Sequence, residues 1–316
     1  MTGPAAEGVR VDWAGLPAAV RAAVEEACGS PVARAVTQRG GFSPGAAARL
    51  TCADGRQFFV KAVSAEANPD SPKMHRRESR VLAALGPLID DGRVPAPRLR
   101  AVIDQPPWIA LLLDDVDGVH PELPWKPGQL AQVLAAIDRL AAALTPPPIE
   151  MTAVGLRLGR MLHGWRDLAA AGGADGLDEW SAKHLADLAA IEATWSGHSV
   201  GRTLLHGDLR ADNVLLTGDG VVFVDWPHAS TGAAFVDLVM TAPSVAMQGG
   251  PDLAGLLSAT EGGRAASRDA VTAVLCAVAG YLTSSALKPA PPGLPTLRGF
   301  QAAQGQIARD WLAKLI

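Results

Sequence analysis

LLHGDLRADNVLLTGDGVVFVDW, residues 204–226, reads as a strand end, a polar loop, and two short β-rich runs separated by Gly218-Asp219-Gly220. The runs are Val214–Thr217 and Val221–Val224, and a Gly/Asp turn between them predicts an antiparallel hairpin. Pairing sets the residue before the first strand, Asn213, beside the residue after the second, Asp225, with Asp208 in the loop just upstream. Asn and Asp oxygens are hard ligands that suit Mg²⁺, which keeps few protein ligands and takes the rest from phosphates and water. A further carboxylate facing the same space, Asp208, is then free to receive or orient a hydroxyl proton. This is the layout of a phosphoryl-transfer site.

His206-Gly207-Asp208, Asn213 and Asp225 together resemble the catalytic loop and metal-binding aspartate of the aminoglycoside phosphotransferase and choline kinase-like family, small-molecule relatives of protein kinases. The bland alternatives are a polar loop that merely caps a hairpin, and a degenerate relative without activity. The resemblance implies an α+β, bilobal protein-kinase-like fold, with a small N-terminal antiparallel sheet above a larger, mainly helical part. It also implies ATP as phosphoryl donor, with GTP left open, and Mg²⁺ as the metal.

Composition bounds the rest. The chain has 316 residues, 48% hydrophobic and 19% charged, which describes a globular protein of one large domain or two lobes. A net charge of −4 gives no reason to expect nucleic acid or an anionic membrane surface as partner. Cys28, Cys52 and Cys276 are scattered without metal-ligand spacing and read as reduced core residues. The first residues, MTGPAAEGVRVDW, lack a basic segment followed by an apolar core, so no signal peptide is expected and the cytoplasm is the expected location. The uncharged run Ala270–Leu287 is about as long as the shortest membrane-spanning helix. Diluted by Thr, Ser, Gly and Ala, it reads as a buried helix.

Leu16–Cys28 has helix-forming composition with Gly29 as a stop. Val36–Val63 reads as strand, glycine loop, strand, Asp54-Gly55 turn, strand. Gly40, Gly41 and Gly45 let the backbone approach an anion closely, and Ser43 adds a hydroxyl donor. Gly41-Phe42-Ser43-Pro44-Gly45 also matches the G-x-S-x-G nucleophile elbow, but Pro44 and the strand that follows do not provide the helix that an elbow needs. Lys61 shares a strand face with Phe59 and Val63. Ser71-Pro72 opens a helix with serine as the expected N-cap, and Met74, Glu78, Val81, Leu82 and Leu85 form its inward stripe. A carboxylate there is costly unless paired, and Lys61 is the natural partner, with Arg76 and Arg77 as alternatives. By resemblance, Lys61 holds the nucleotide phosphates, Glu78 orients Lys61, and the loop of Gly40, Gly41 and Ser43 positions the nucleotide.

Trp108–Leu113 is a strand that runs into Asp114-Asp115-Val116-Asp117-Gly118, where the resemblance places the interlobe hinge. The division is set near Asp115: residues 1–115 for a nucleotide-binding lobe, 116–316 for a catalytic and acceptor-binding lobe. Beyond it Pro127–Leu144, Leu156–Ala171 and Leu177–Trp195 read as helices. Asp167, Asp175, Asp178, Glu179 and Asp187 could line a pocket for a cationic substrate, but a solvated helix face is the simpler reading. After Asp225, Gly232 and Asp237 resemble the family's pattern, with Asp237 bracing the catalytic loop. About a dozen residues separate Asp225 from Asp237, too few for the peptide-docking segment of a protein kinase. The acceptor is therefore expected to be a small hydroxylated molecule. An aminoglycoside-type kinase competes here with a metabolite kinase for an amino alcohol or sugar, and with a silent nucleotide-binding pseudokinase. The balanced charges after Met240 lack the strongly acidic concentration that polycationic aminoglycosides call for.

Overall fold

Period-two strands in the first third of the chain and helical stretches after Pro127 give an α+β architecture. The computed structural model describes residues 10–38, 45–173, 175–291 and 294–316. Helix α1 (Ala18–Cys28) ends on Gly29 in the left-handed conformation. It is followed by β1 (Val32–Thr37), β2 (Ala46–Cys52), β3 (Gln57–Ser64), α2 (Ser71–Asp90), β4 (Leu99–Gln105) and β5 (Trp108–Asp114). The strands form one antiparallel sheet in the order β1-β2-β3-β5-β4. Alternation divides its two faces. Ala62, Val60, Ala110 and Leu112 pack with Val20 and Val24 of α1, whereas Leu113 joins Val81, Leu82 and Leu85 of α2 in the larger core. Lys61, one residue out of step with Val60 and Ala62, therefore lies on the side of α2.

One detail of α2 corrects the sequence reading. The helix begins on Ser71 itself, and Asp70 takes the N-cap position without a side-chain cap bond. The loop residues Gly40, Gly41 and Ser43 lie outside the described residues; Gly45, at their end, forms a parallel bridge with Arg10.

Helices α3 (Pro127–Ala143), α4 (Val154–Arg157), α5 (Gly164–Ala170), α6 (Glu179–Lys183) and α7 (Leu185–His198) follow the sheet. The two long helices expected over 156–171 and 177–195 are thus each broken in two. The short strands β6 (Thr203–Leu205), β7 (Val214–Thr217), β8 (Gly220–Phe223) and β9 (Ser230–Gly232) come next, with β6 paired to β9 and β7 to β8. Helices α8 (Phe235–Met247), α9 (Leu253–Ala259), α10 (Glu261–Ala265), α11 (Arg268–Ala286) and α12 (Leu297–Leu315) complete the fold. Among the described residues α11 alone is long and apolar enough to cross a membrane, and 78% of it is buried inside the fold. It packs against α12, α7, α5 and α8, as a core helix does.

Candidate active site

The β7–β8 hairpin forms as the Gly-Asp turn predicts, with Val214 opposite Phe223 and Thr217 opposite Gly220. The Val224 amide donates to the Asn213 carbonyl at 3.0 Å, carrying the ladder one step past the strands, so that Asp225 emerges next to Asn213. Asp225 has φ +71°, the one positive φ of a non-glycine residue among those described. Such a backbone is uncommon outside glycine and clusters at functional sites.

Asp208 and Asn213 bind each other. The Asn213 side-chain amide donates to the Asp208 carbonyl at 2.8 Å and to its Oδ2 at 2.9 Å. Both amide hydrogens are thereby used, and the Asn213 side-chain oxygen remains as the group that can meet a cation. Gly207, with φ +83°, lets the loop pass: a Cβ there would stand 2.6 Å from the His228 carbonyl oxygen. Asp237 fastens the loop from beneath, its two oxygens accepting the His206 and Gly207 amides at 2.8 Å each. Burial pushes this carboxyl up to about 6, with the two amides pulling against it.

His206 is fully buried and closes the loop on the hairpin. One ring nitrogen is 3.0 Å from the Val224 carbonyl, and the other accepts the Asp208 amide at 3.3 Å. That pattern fixes a neutral ring, and burial lowers its pKa to about 4. His75 on α2 is likewise buried and lowered to about 4, by burial first and the Lys61 charge second. Unfolded histidines titrate near 6.5, so between pH 6.5 and 4 the unfolded chain binds protons that the native one does not. The contribution of these two rings should be complete above pH 6.5 and fall as the pH drops towards 4, by up to about 3 kcal/mol for each ring, while Asp237, raised to about 6, works in the opposite sense as the pH falls below 6. Urea unfolding at steps across this range checks it, with His206→Asn expected to lose part of the slope. A His206→Asn profile with the wild-type slope unchanged would contradict the neutral assignment of His206.

Lys61 stands where three elements meet. Its ammonium is 2.8 Å from both Glu78 oxygens on α2 and 2.5 Å from Asp225 Oδ1 at the end of the hairpin. Burial alone would lower its pKa, but Asp225 and Glu78 outweigh burial and hold it above the usual lysine value. In return, Asp225 resists the cost of its own burial and stays well below the ordinary carboxylate range because Lys61 is beside it. Glu78, 1% exposed, also accepts the Trp226 amide at 3.4 Å, tying α2 to the residue after Asp225. The alternative partners are engaged elsewhere or apart: Arg76 forms a bidentate pair with Asp104 at 2.7 Å, and no ion pair joins Arg77 to Glu78.

Two arginines on the sheet side of the site escaped the sequence reading. Arg49 on β2 donates to the Val116 carbonyl at 2.7 Å and pairs with Asp115 at 3.2 Å, fastening the sheet to the segment that follows β5. Arg10, through its bridge to Gly45, shares the sheet face of Val63 and Lys61 and lies within the field of Asp225. The tell-tale for Arg49 was a charged residue inside the otherwise small and apolar β2 sequence, AAARLTC.

On the other side of Asp208 opens a cavity of about 190 Å³ between the loop of Gly207–Arg210, α8, α11 and α12. Arg210 borders it, chelated by Asp212 at 3.0 and 2.8 Å and 3.8 Å from Asp208. Burial drives the Asp208 carboxyl above its ordinary range, with Arg210 holding it back. Tyr281 of α11 and Gln301 and Gln304 of α12 also face this cavity. In the sequence these amides are visible only as two glutamines three apart on the α12 pattern.

Antiparallel sheet, mainly helical remainder and this loop define the protein-kinase-like class of phosphotransferases. The profile of the phosphotransferase enzyme family matches residues 37–271, and the chain belongs to that family. Among curated proteins none matches in sequence. The choline kinase LicA of Streptococcus pneumoniae superposes with a TM-score of 0.60 at 11% identity, over 94% of this chain and 98% of that one. A putative fructosamine-3-kinase of Haemophilus somnus 129PT gives 0.58 at 13%, over 93% and 96%. A thermostable mutant of the aminoglycoside phosphotransferase APH(4)-Ia, in a ternary complex with ADP and hygromycin B, gives 0.56 at 15%, over 92% and 98%. These likenesses establish the fold.

Proposed function

We propose that this chain is a small-molecule kinase that moves the γ-phosphoryl group of ATP to a hydroxyl of its acceptor in a Mg²⁺-dependent reaction. Residues 1–115 act as the nucleotide lobe and residues 116–316 as the catalytic and acceptor lobe. The observation that carries the reading is the convergence of Lys61, Glu78, Asp208, Asn213 and Asp225 on one site from three separate stretches of chain. Among the described residues no cluster of three or more His, Cys, Asp or Glu could hold a metal alone. A site of one ionised carboxylate and one amide oxygen suits Mg²⁺ that completes its shell from phosphates and water. Asn213 and Asp225 would hold it, and when bound it neutralises charge on the transferring phosphates.

The chain's own groups divide the remaining work. Lys61 holds the α- and β-phosphates, and Glu78 keeps the ammonium in place. Asp208 receives or orients the acceptor proton, its carboxylate fixed by the Asn213 amide. Gly40, Gly41 and Ser43 position the nucleotide. His206 and Asp237 brace the loop without touching the reactants. A pseudokinase is the weaker reading because none of the five groups is missing. ADP release from Mg-ATP, measured across aminoglycosides, amino alcohols, sugars and other hydroxylated compounds, tests the proposal. No release above background with any of them, together with no Mg-ATP binding, would refute it.

Lys61 and Glu78 should prove energetically coupled. Lys61→Ala weakens nucleotide binding directly, and Glu78→Ala does so more mildly, by leaving Lys61 to Asp225 alone. In a double-mutant cycle the coupling should be about 1–3 kcal/mol, the second change adding little to the first. Strictly additive losses in calorimetry would show that Glu78 serves Trp226 and α2 rather than Lys61.

A further inference from the structure

We propose that the acceptor is an uncharged alcohol with an apolar body and a neutral hydrogen-bonding group besides the reacting hydroxyl, and not a polycation. The inference rests on the kinase reading, since it takes the cavity beside Asp208 as the acceptor site.

The charges in that cavity are few and already matched. Only Asp208 and Arg210 carry formal charge among its described lining residues, with His228 held neutral by burial. Arg210 is chelated by Asp212 and stands 3.8 Å from Asp208, so the one carboxylate that faces the acceptor has a cation next to it. An ammonium group entering here loses its water and finds no unmatched carboxylate, and removing an ion from water without a partner costs several kcal/mol. A molecule with several ammonium groups meets that cost several times. The acids that might have served them are elsewhere: Asp167 pairs with His163, and Asp178 caps α6 and pairs with Arg309.

The rest of the wall is apolar or neutral. Met161, Leu162, Met240, Val278, Leu282 and Phe300 offer hydrocarbon to the space. Gln301 and Gln304 are each 5% exposed, a burial that amides tolerate only with hydrogen-bond partners. Gln301 is held by Arg298 at 2.8 Å and donates to the Tyr281 hydroxyl at 3.3 Å, so the hydroxyl hydrogen is left to donate. The Gln304 amide nitrogen donates to the Phe300 carbonyl at 3.3 Å, and its oxygen accepts no hydrogen bond among the described residues. A neutral donor and a neutral acceptor therefore line the same cavity as Asp208. A hydroxyl, amide or carbamate matches them; an ammonium does not.

The chemistry stays balanced. The acceptor oxygen forms its bond to the γ-phosphorus as the bond from that phosphorus to the β–γ bridging oxygen breaks. ADP leaves with the bridging oxygen, and the acceptor proton passes to Asp208 and on to solvent.

A matched pair tests the class directly: N-(2-hydroxyethyl)benzamide, which is neutral, and N-benzylethanolamine, its cationic counterpart of similar size. Binding is read by saturation-transfer NMR and calorimetry on the full chain, with kanamycin as a polycation. The neutral probe should bind at least about tenfold more tightly than the cationic one. Met161 is 39% exposed at the rim, so Met161→Glu should fold and should narrow or reverse that preference. Equal or tighter binding of the cationic probe or kanamycin, binding of neither probe, or a preference untouched by Met161→Glu would overturn the inference. Mg-ATP binding and acceptor-free ADP release are measured in parallel. Normal values alongside a cation preference overturn the acceptor class alone. Their absence overturns the kinase reading while leaving the comparison of probes intact.

Discussion

Asp208→Asn is expected to leave Mg-ATP affinity within a few-fold and to lower turnover by about a hundredfold or more, the loss typical of a positioned base. Asn keeps the shape of the side chain, and its oxygen can still accept from the Asn213 amide that now holds Asp208 at 2.9 Å. What disappears is a basic oxygen lining the cavity proposed for the acceptor. Burial raises the Asp208 carboxyl against the pull of Arg210, so its proton affinity exceeds that of a solvated carboxylate. A base must be ionised to work. The wild-type rate should therefore fall on the acid side at a pH above the ordinary carboxylate range, and the Asn variant should lack that limb. Steady-state ADP release with a confirmed acceptor, paired with calorimetry of Mg-ATP, separates the two effects. Near-normal turnover would remove Asp208 from this role, and an equal loss of nucleotide affinity would move it to the metal side of the site.

How much of this was legible depends on where each signal lies along the chain. The hairpin and Lys61 with Glu78 were readable because each rests on local pattern: a turn between two β runs, and one carboxylate on an apolar helical stripe. Asp237 was readable by resemblance, and its two amide bonds to the catalytic loop support the bracing role. The helices over 154–198 were not, because tertiary packing breaks them. At Gly164 a Cβ would collide with the Gly280 carbonyl, so α5 lies flush on α11, a contact between residues far apart in sequence. Strand β4 gives little period-two signal because, as an edge strand, it buries only Ile103. The cavity beside Asp208 was least visible of all. Tyr281, Gln301 and Gln304 belong to α11 and α12 and share a cavity with Asp208 only through the packing of those helices. What the sequence did show, a lack of concentrated acid after Met240, agrees with the chemistry of that cavity. Asp167 and Asp187 stand on solvated faces and pair locally with His163 and His184, and Asp178 caps α6.

Replacing Asp225 by Ala should abolish the Mg²⁺-dependent part of nucleotide binding. The carboxylate is kept ionised by Lys61, one oxygen is engaged there, and about a third of the side chain (34%) is open towards the site. With it gone, Asn213 offers a single amide oxygen, too little to retain Mg²⁺ without the carboxylate. Lys61 remains bound to Glu78, so a weaker, Mg²⁺-independent affinity for the nucleotide should survive. Calorimetry with and without Mg²⁺ reads both parts, and equal Mg-ATP affinity in wild type and variant would refute the metal assignment. The backbone supplies the control. At φ +71° an alanine is strained by about 1–2 kcal/mol, whereas glycine is not. Asp225→Gly should therefore be the more stable of the two in urea unfolding yet equally unable to bind in the Mg²⁺-dependent mode. Should Gly retain that mode while Ala loses it, the loss would belong to the loop's conformation, and the carboxylate would not be the ligand.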